Sequence, residues 1–172
     1  AVFTAAWLRA APPPELPIET FFKKANIASL TFSPDGKRIA CLVPYERRMN
    51  LAVIDLEKKT KNLLTNFRDN DVGSLLWASN DRLVYTKDFD GEEWAAVYAV
   101  NRDGSEGVLL ASGAQQAGTT QQANNQFRGL LTRLPDDPQH ILVLGNLSGA
   151  QGPDVCRMNL MAGRKTVDTP NP

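Results

Sequence analysis

The feature that most constrains this chain is an internal repeat. Equivalent positions in the first two copies lie 44 to 46 residues apart, and those in the second and third copies lie 58 apart. The matched pairs are Phe32 with Trp77, Ile39 with Leu83, Ile54 with Val100, Leu83 with Ile141 and Val100 with Met158. A constant offset over two separate segments rarely arises by chance, so the chain contains three copies of one structural unit.

Each copy consists of short β-rich runs separated by turn residues, a pattern that predicts strands. Two runs lie within 29–43, joined by the turn Ser33-Pro34-Asp35-Gly36, in which Pro34 presets φ and Gly36 accepts a positive φ. In the second copy we expect Asn80 to take the left-handed conformation. The other predicted strands are 51–56, 60–64, 74–77, 82–86, 95–101, 107–110, 141–144 and 155–159.

Four antiparallel strands in a unit of about 45 residues are typical of a propeller blade. The chain is therefore predicted to be all-β: a partial β-propeller of about three four-stranded antiparallel blades, at about 27–66, 72–111 and 127–168. Complete propellers close with roughly four to eight blades. We therefore expect the front part of a larger protein, or self-association through the open blade edges. Phe32 and Trp77 are expected to be buried between neighbouring blades.

The N-terminal end differs in composition from the rest. Residues 1–8 are small and apolar, and a proline run follows at 12–14. This predicts a signal-like or disordered segment over 1–15, ahead of a propeller fragment over 16–172 that opens with a short helix at 15–25. The signal-like interpretation implies a periplasmic or secreted protein.

Composition excludes several classes of function. The 19 basic and 19 acidic residues balance, which argues against a nucleic-acid partner. No run of about 18 apolar residues is present, so no membrane span is predicted. His140 is the single histidine, and we predict no metal and no cofactor. Cys41 and Cys156 fall in different copies and are expected to be buried free thiols.

The order of several segments is similar to that of a known family. The segments are LPIETFF, SPDGKRIACLVPYERRMNLAVIDL, WASNDRLVY, DGEEWAAVYAVNRDG, LPDDPQHILVL and DVCRMNLMAGRK, which span about residues 16 to 168. Together they resemble the N-terminal propeller of bacterial serine peptidases of the prolyl oligopeptidase family, of the acylaminoacyl-peptidase and dipeptidyl-peptidase type. The Ser-Pro-Asp-Gly turn alone is shared with the Tol-system periplasmic propeller and other WD-like repeat proteins.

The resemblance implies a non-catalytic propeller segment that gates the access of short peptides to a C-terminal α/β-hydrolase domain, which this chain does not contain. The parent protein would then be a serine peptidase. We expect no catalytic residue here, because the segments around Ser105 and Ser148 do not match the G-x-S-x-G nucleophile elbow. The alternative is a Tol-like WD-type repeat propeller that acts as a protein-interaction module.

Glu92 and Glu93 are the candidate substrate-binding residues. They resemble the paired glutamates with which dipeptidyl peptidases hold the amino terminus of a substrate, since two carboxylates can pair strongly with one ammonium group. They also follow an Asp-Gly turn, so a solvated hairpin is the alternative interpretation of the same residues.

Overall fold

A computed structural model describes residues 26–89, 92–111, 127–148 and 151–171. These ranges contain twelve strands and no helix. The predicted helix at 15–25 lies outside the described residues. The strands are β1 (Ala28–Phe32), β2 (Arg38–Tyr45), β3 (Arg48–Asp55), β4 (Thr60–Leu63), β5 (Val72–Trp77), β6 (Arg82–Phe89), β7 (Glu92–Asn101), β8 (Val108–Ala111), β9 (Phe127–Arg133), β10 (His140–Gly145), β11 (Asp154–Asn159) and β12 (Lys165–Thr169).

The strands form three antiparallel sheets of four consecutive strands each. We call them blade 1 (β1–β4), blade 2 (β5–β8) and blade 3 (β9–β12). Strand β5 contacts β1 on one side and β9 on the other, so the first strands of successive sheets are neighbours. This is the arrangement of blades around a propeller axis. The predicted all-β fold, a partial propeller of three four-stranded blades, is confirmed.

The middle strands of blade 1 are buried on both faces. Residues 40–43 of β2 and 50–53 of β3 are buried without interruption, whereas all four residues of β4 are exposed. A strand covered on both faces needs a continuous apolar run and not an alternating one. This explains why the sequence reads ACLV in β2 and LAV in β3, but TKNL in the outer strand.

Two apolar interfaces join the three blades. Successive residues of one strand point to opposite faces, so Leu83 of β6 packs toward blade 1 and Val84 packs toward blade 3. The interface of blades 1 and 2 contains Leu42, Leu51, Val53, Trp77, Leu83 and Tyr85. The interface of blades 2 and 3 contains Val84, Val97, Ile141, Val143, Cys156 and Met158.

Phe32 and Trp77 occupy equivalent positions but different environments. Phe32 pairs with Ile39, and Trp77 pairs with Leu83, as the repeat predicts. Trp77 is 2% exposed, and its Nε1 donates to the carbonyl of Thr31 at 3.2 Å. Phe32 is 61% exposed, so the expectation that it is buried between blades is wrong. Its face of blade 1 points away from blade 2, and no other described blade packs against it.

Asp154 joins the β10–β11 loop to the segment that follows β12, at one end of blade 3. The residue is fully buried, and its carboxylate accepts hydrogen bonds from the backbone N–H groups of Asn171 at 2.9 Å and of Leu147 and Ser148 at 2.8 Å. The hydroxyl of Ser148 donates to it at 2.7 Å. These donors, the Asn171 N–H above all, hold the pKa of Asp154 far below its usual range.

Ala substitutions at Trp77 and Phe32 compare two positions that have the same strand register but different burial. Trp77→Ala removes a buried indole and leaves a cavity between blades 1 and 2, and should cost about 3–5 kcal/mol of unfolding free energy. Phe32→Ala loses little burial and should change stability much less. Urea denaturation midpoints measure both variants. Equal losses for the two would mean that Phe32 is also covered in the folded protein.

Asp154 should make stability depend on acid pH. Its pKa is lowered on folding, so its contribution is present above the unfolded-state pKa of about 3.9 and is lost as pH falls toward the folded-state value. Asp154→Asn should therefore be less stable than the natural chain at pH 7, and the difference should shrink between about pH 5 and pH 3. Urea midpoints across this range test it, with the exposed Asp136→Asn as control. A constant difference across the range would contradict the expectation.

Candidate functional site

The three blades repeat one polar pair across their second and third strands. The first residue of the second strand faces the last residue of the third strand. The pairs are Arg38 Nε with Asp55 Oδ2 at 3.5 Å, Arg82 Nη1 with Asn101 Oδ1 at 2.9 Å, and His140 Nε2 with Asn159 Nδ2 at 3.2 Å. All three pairs lie at the same end of the blades, beside the β1–β2 and β3–β4 turns and their equivalents.

The Ser-Pro-Asp-Gly turn of blade 1 lies at this end. The Ser33 hydroxyl donates to Asp35 Oδ1 at 2.6 Å and accepts from the Arg38 N–H at 3.0 Å. Gly36 has φ +70°, as predicted. Asn80 is not among the residues with positive φ, so the expectation for it is wrong. Its side-chain oxygen instead accepts a hydrogen bond from the Asp35 N–H at 3.0 Å, which joins blade 2 to blade 1.

A groove of about 450 Å³ opens between blades 1 and 2 at this end. One wall is formed by the β3–β4 turn and β4 of blade 1, and the other by the two turns of blade 2. The lining is almost entirely polar, with three cationic and three anionic side chains. The lining residues are Arg38, Val53, Asp55, Lys58, Thr60, Asn62, Asp81, Asn101, Arg102 and Asp103.

The groove carboxylates already have donors from their own turns. Asp55 accepts from the backbone N–H of Lys58 at 2.9 Å, and this contact holds the pKa of Asp55 below its usual value. Asp103 accepts from the hydroxyl of Ser105 at 2.6 Å, with the same effect on the pKa of Asp103. Asp81 accepts from Arg102 Nε at 2.5 Å. Asp55 and Asp103 are therefore ionised and locally hydrogen-bonded at neutral pH.

The corresponding place between blades 2 and 3 is closed. Arg82 reaches across it, and its Nη2 donates to the carbonyl of Leu160 at 3.4 Å. Gly163, at φ +65°, lies so close to Leu110 that a Cβ atom there would collide with the Leu110 carbonyl. The equivalent Gly104, at φ +89°, has only a Leu64 methyl carbon at 4.0 Å. The groove is thus a local departure from the repeat.

The predicted substrate-binding pair is not part of this groove. Glu92 and Glu93 begin β7, where Glu92 pairs with Phe89, and Asn101 of the groove ends the same strand. Nine residues of extended chain separate the strand ends, a distance of about 30 Å. The structure does not describe the side chains of Glu92 and Glu93, so their proposed contact with an amino terminus stays a prediction.

The side chains of His140, Ser105 and Ser148 each contact an aspartate at the end of a blade. His140 Nδ1 lies 2.9 Å from Asp137 Oδ1, while the hydroxyls of Ser105 and Ser148 donate to Asp103 and Asp154. In the described ranges, no group of three His, Cys, Asp or Glu side chains is arranged to hold a metal ion. The same ranges contain no helix long and apolar enough to cross a membrane. Cys41 and Cys156 are buried free thiols, as predicted.

Comparison with known proteins supports the fold alone. No protein-family model matches the chain, and no curated protein matches it. Among solved structures, TolB from Acinetobacter baumannii is 17% identical with a TM-score of 0.53, over 82% of this chain and 31% of that one. Oligogalacturonate lyase from Vibrio parahaemolyticus is 13% identical with a TM-score of 0.53, over 81% of this chain and 38% of that one.

A peptidase is also among the similar structures. The puromycin-hydrolyzing peptidase of Mycobacterium tuberculosis is 17% identical with a TM-score of 0.49, over 84% of this chain and 30% of that one. The chain therefore spans about a third of the TolB and peptidase structures that it matches. The likenesses to TolB and to oligogalacturonate lyase support the propeller fold of this chain.

None of the ten groove residues was predicted as a site residue from the sequence, and Lys58, Asp81, Arg102 and Asp103 show why. Each is an ordinary polar turn residue within its own repeat, and the groove forms only where two repeats meet. The one sequence signal was the repeated polar position at Arg38, Arg82 and His140, which marks this end of the blades. It does not indicate which of the two blade interfaces is open.

Arg82 should matter more for stability than its equivalent, Arg38. Arg82 has a side chain only 9% exposed and donates at 2.8 Å to the Glu106 carbonyl as well as to Asn101 and Leu160. Arg82→Met keeps the stem but leaves buried acceptors unpaired, which should cost about 1–3 kcal/mol. Arg38→Met, beside the open groove, should cost less. Thermal and urea unfolding of both variants measure the two losses of stability. A larger loss for Arg38→Met than for Arg82→Met would contradict the expectation.

Proposed function

We propose that this chain is a non-catalytic propeller segment that binds a peptide or protein partner. The observation that supports this is the groove between blades 1 and 2, which holds three cations, three anions and the neutral side chains of Thr60, Asn62 and Asn101. A peptide has charged ends and a chain of amide donors and acceptors, and such a lining can pair with all of them.

The first setting for this activity is a serine peptidase of the prolyl oligopeptidase family. The order of the sequence segments over about residues 16 to 168 supports it. In that setting the segment gates the access of short peptides to a C-terminal α/β-hydrolase domain of the parent chain. Glu92 and Glu93, at the start of β7, are then the residues that hold the amino terminus of the substrate.

The second setting is a Tol-like interaction module. The fold likeness to TolB over 82% of the chain supports it, as does the Ser-Pro-Asp-Gly turn with its buried serine. In that setting the blade surfaces bind a protein partner and no hydrolase domain is involved. For either setting we propose a periplasmic or secreted location, which agrees with the apolar segment at 1–8.

Peptide binding without turnover is the expected behaviour. Calorimetric titration of the chain with trialanine should give saturable binding, whereas aminoacyl and dipeptidyl chromogenic substrates should stay intact. A fluorophosphonate serine probe should not label the chain. Heats equal to those of dilution for trialanine and for acetylated trialanine would contradict the proposed function, as would stoichiometric labelling by the probe.

The same titration separates the two settings. If Glu92 and Glu93 hold an amino terminus, the double variant Glu92→Gln, Glu93→Gln should weaken the binding of free trialanine but not that of acetylated trialanine. The peptidase setting predicts this difference. The Tol-like setting predicts equal affinity of the variant and the natural chain for both peptides.

A further inference from the structure

The groove between blades 1 and 2 contains more unused donors than unused acceptors. Arg38 donates through Nη1 to Asp35 at 3.3 Å, and its buried Nε lies 3.5 Å from Asp55 Oδ2 in an ion pair without hydrogen-bond geometry. Arg102 donates through Nε to Asp81. Each guanidinium has five N–H groups, so both retain donors that these contacts do not use.

Lys58 adds a third cation at the rim. It occupies the β3–β4 turn, where its backbone N–H is bound to Asp55 at 2.9 Å. Within the part of the chain that the structure describes, the ammonium group of Lys58 forms no ion pair. The three anions of the lining, by contrast, each accept from a donor of their own blade. The groove therefore offers a ligand unused N–H donors, beside carboxylates that are already bound by donors of their own blade.

The charge balance limits the ligand to a single negative charge. Three cations and three anions line the groove, so its formal charge is zero, and a phosphate or other multiply charged anion would face three carboxylates. A single carboxylate can be bound by Lys58 and the free guanidinium N–H groups without that repulsion. Next to these cations stand two neutral partners for amide groups, Thr60 and Asn62. The Asn101 side chain is already bound to Arg82 and to Ser105.

Side chains of β4 alternate between the face that lines the groove and the opposite face. Asn62 pairs with Val53, and Thr60 with Asp55, so both side chains point toward the groove. Lys61 pairs with Ile54 and points to the opposite face. The side chains of Thr60 and Asn62 make no hydrogen bond to other described residues. They are thus available to an extended backbone lying along the groove.

We infer that this groove binds a carboxylate of a peptide, with Lys58, Arg38 and Arg102 contacting the carboxylate and with Thr60 and Asn62 contacting the adjoining amides. The carboxylate comes from a chain end or from an acidic side chain. The inference rests on the proposed function and adds to it the chemical group that is recognised and its place in the fold. It does not involve Glu92 or Glu93.

The test is an NMR titration of the isotope-labelled full chain with three probes. Acetyl-trialanine with a free carboxylate should shift the side-chain amide signals of Asn62 and the Nε–H signal of Arg102. Acetyl-trialanine amide, which lacks the charge, should not. Acetyl-glutamate amide separates the two sources: equal binding indicates any peptide carboxylate, and weaker binding indicates a chain end.

Two lysines of the same hairpin provide matched variants. Lys58→Gln should weaken the binding of acetyl-trialanine about threefold to tenfold, the range for loss of a charge-assisted contact at a partly exposed site. Lys61→Gln removes the same charge from the opposite face and should leave the affinity unchanged. Asn62→Asp places a fourth carboxylate in the groove and should also weaken binding.

The outcomes distinguish the inference from the proposed function. Equal binding of the acid and the amide, or equal losses for Lys58→Gln and Lys61→Gln, would overturn the carboxylate site while peptide binding itself stands. If neither the acid nor the amide shifts any signal, both the site and the proposed function fail.

Discussion

The need to bury apolar strand faces between neighbouring blades is the constraint on which the rest of this structure depends. A four-stranded sheet with an apolar face must pack that face against another layer, so successive blades cover one another. Trp77 illustrates the consequence. Its ring belongs to blade 2, but its burial and its hydrogen bond to Thr31 are provided by blade 1. The interfaces therefore contribute much of the buried apolar surface, beside the smaller cluster of Cys41, Val43 and Ala52 within blade 1.

The same constraint explains how far the sequence could predict the fold. The offset of the repeat identified the strand register correctly, because equivalent residues such as Ile39 and Leu83 have equivalent partners in both blades. Burial depends on what lies next to a blade, so Phe32 was placed wrongly although its register was right. Asn80 was also misjudged, since its partner Asp35 lies in another repeat. Strand β9 (Phe127–Arg133) was not located as a run, because its apolar residues are interrupted by Arg128 and Gly129.

The candidate site could not be predicted for a related reason. The groove exists because one turn of blade 2 stands clear of blade 1, whereas the equivalent turn of blade 3 packs on Leu110. The turn of blade 3 closes with a hydrogen bond from Asn159 to Arg164, and that of blade 2 with one from Asn101 to Ser105. A difference of one residue in turn length thus accompanies the difference between a closed and an open interface. Variation of turns on a constant scaffold is a common origin of binding sites.

The two free thiols allow local opening of the folded chain to be measured at two separate places. Cys156 lies in the interface of blades 2 and 3, while Cys41 lies on the face of blade 1 that points away from blade 2. Both are fully buried, and burial raises the pKa of each thiol, so neither reacts while the blades stay in place. The alkylation rate of each cysteine then measures how often the structure around that thiol opens. Without any engineered label, Cys156 reports on the separation of blade 3 from blade 2, and Cys41 reports on the opening of blade 1 itself.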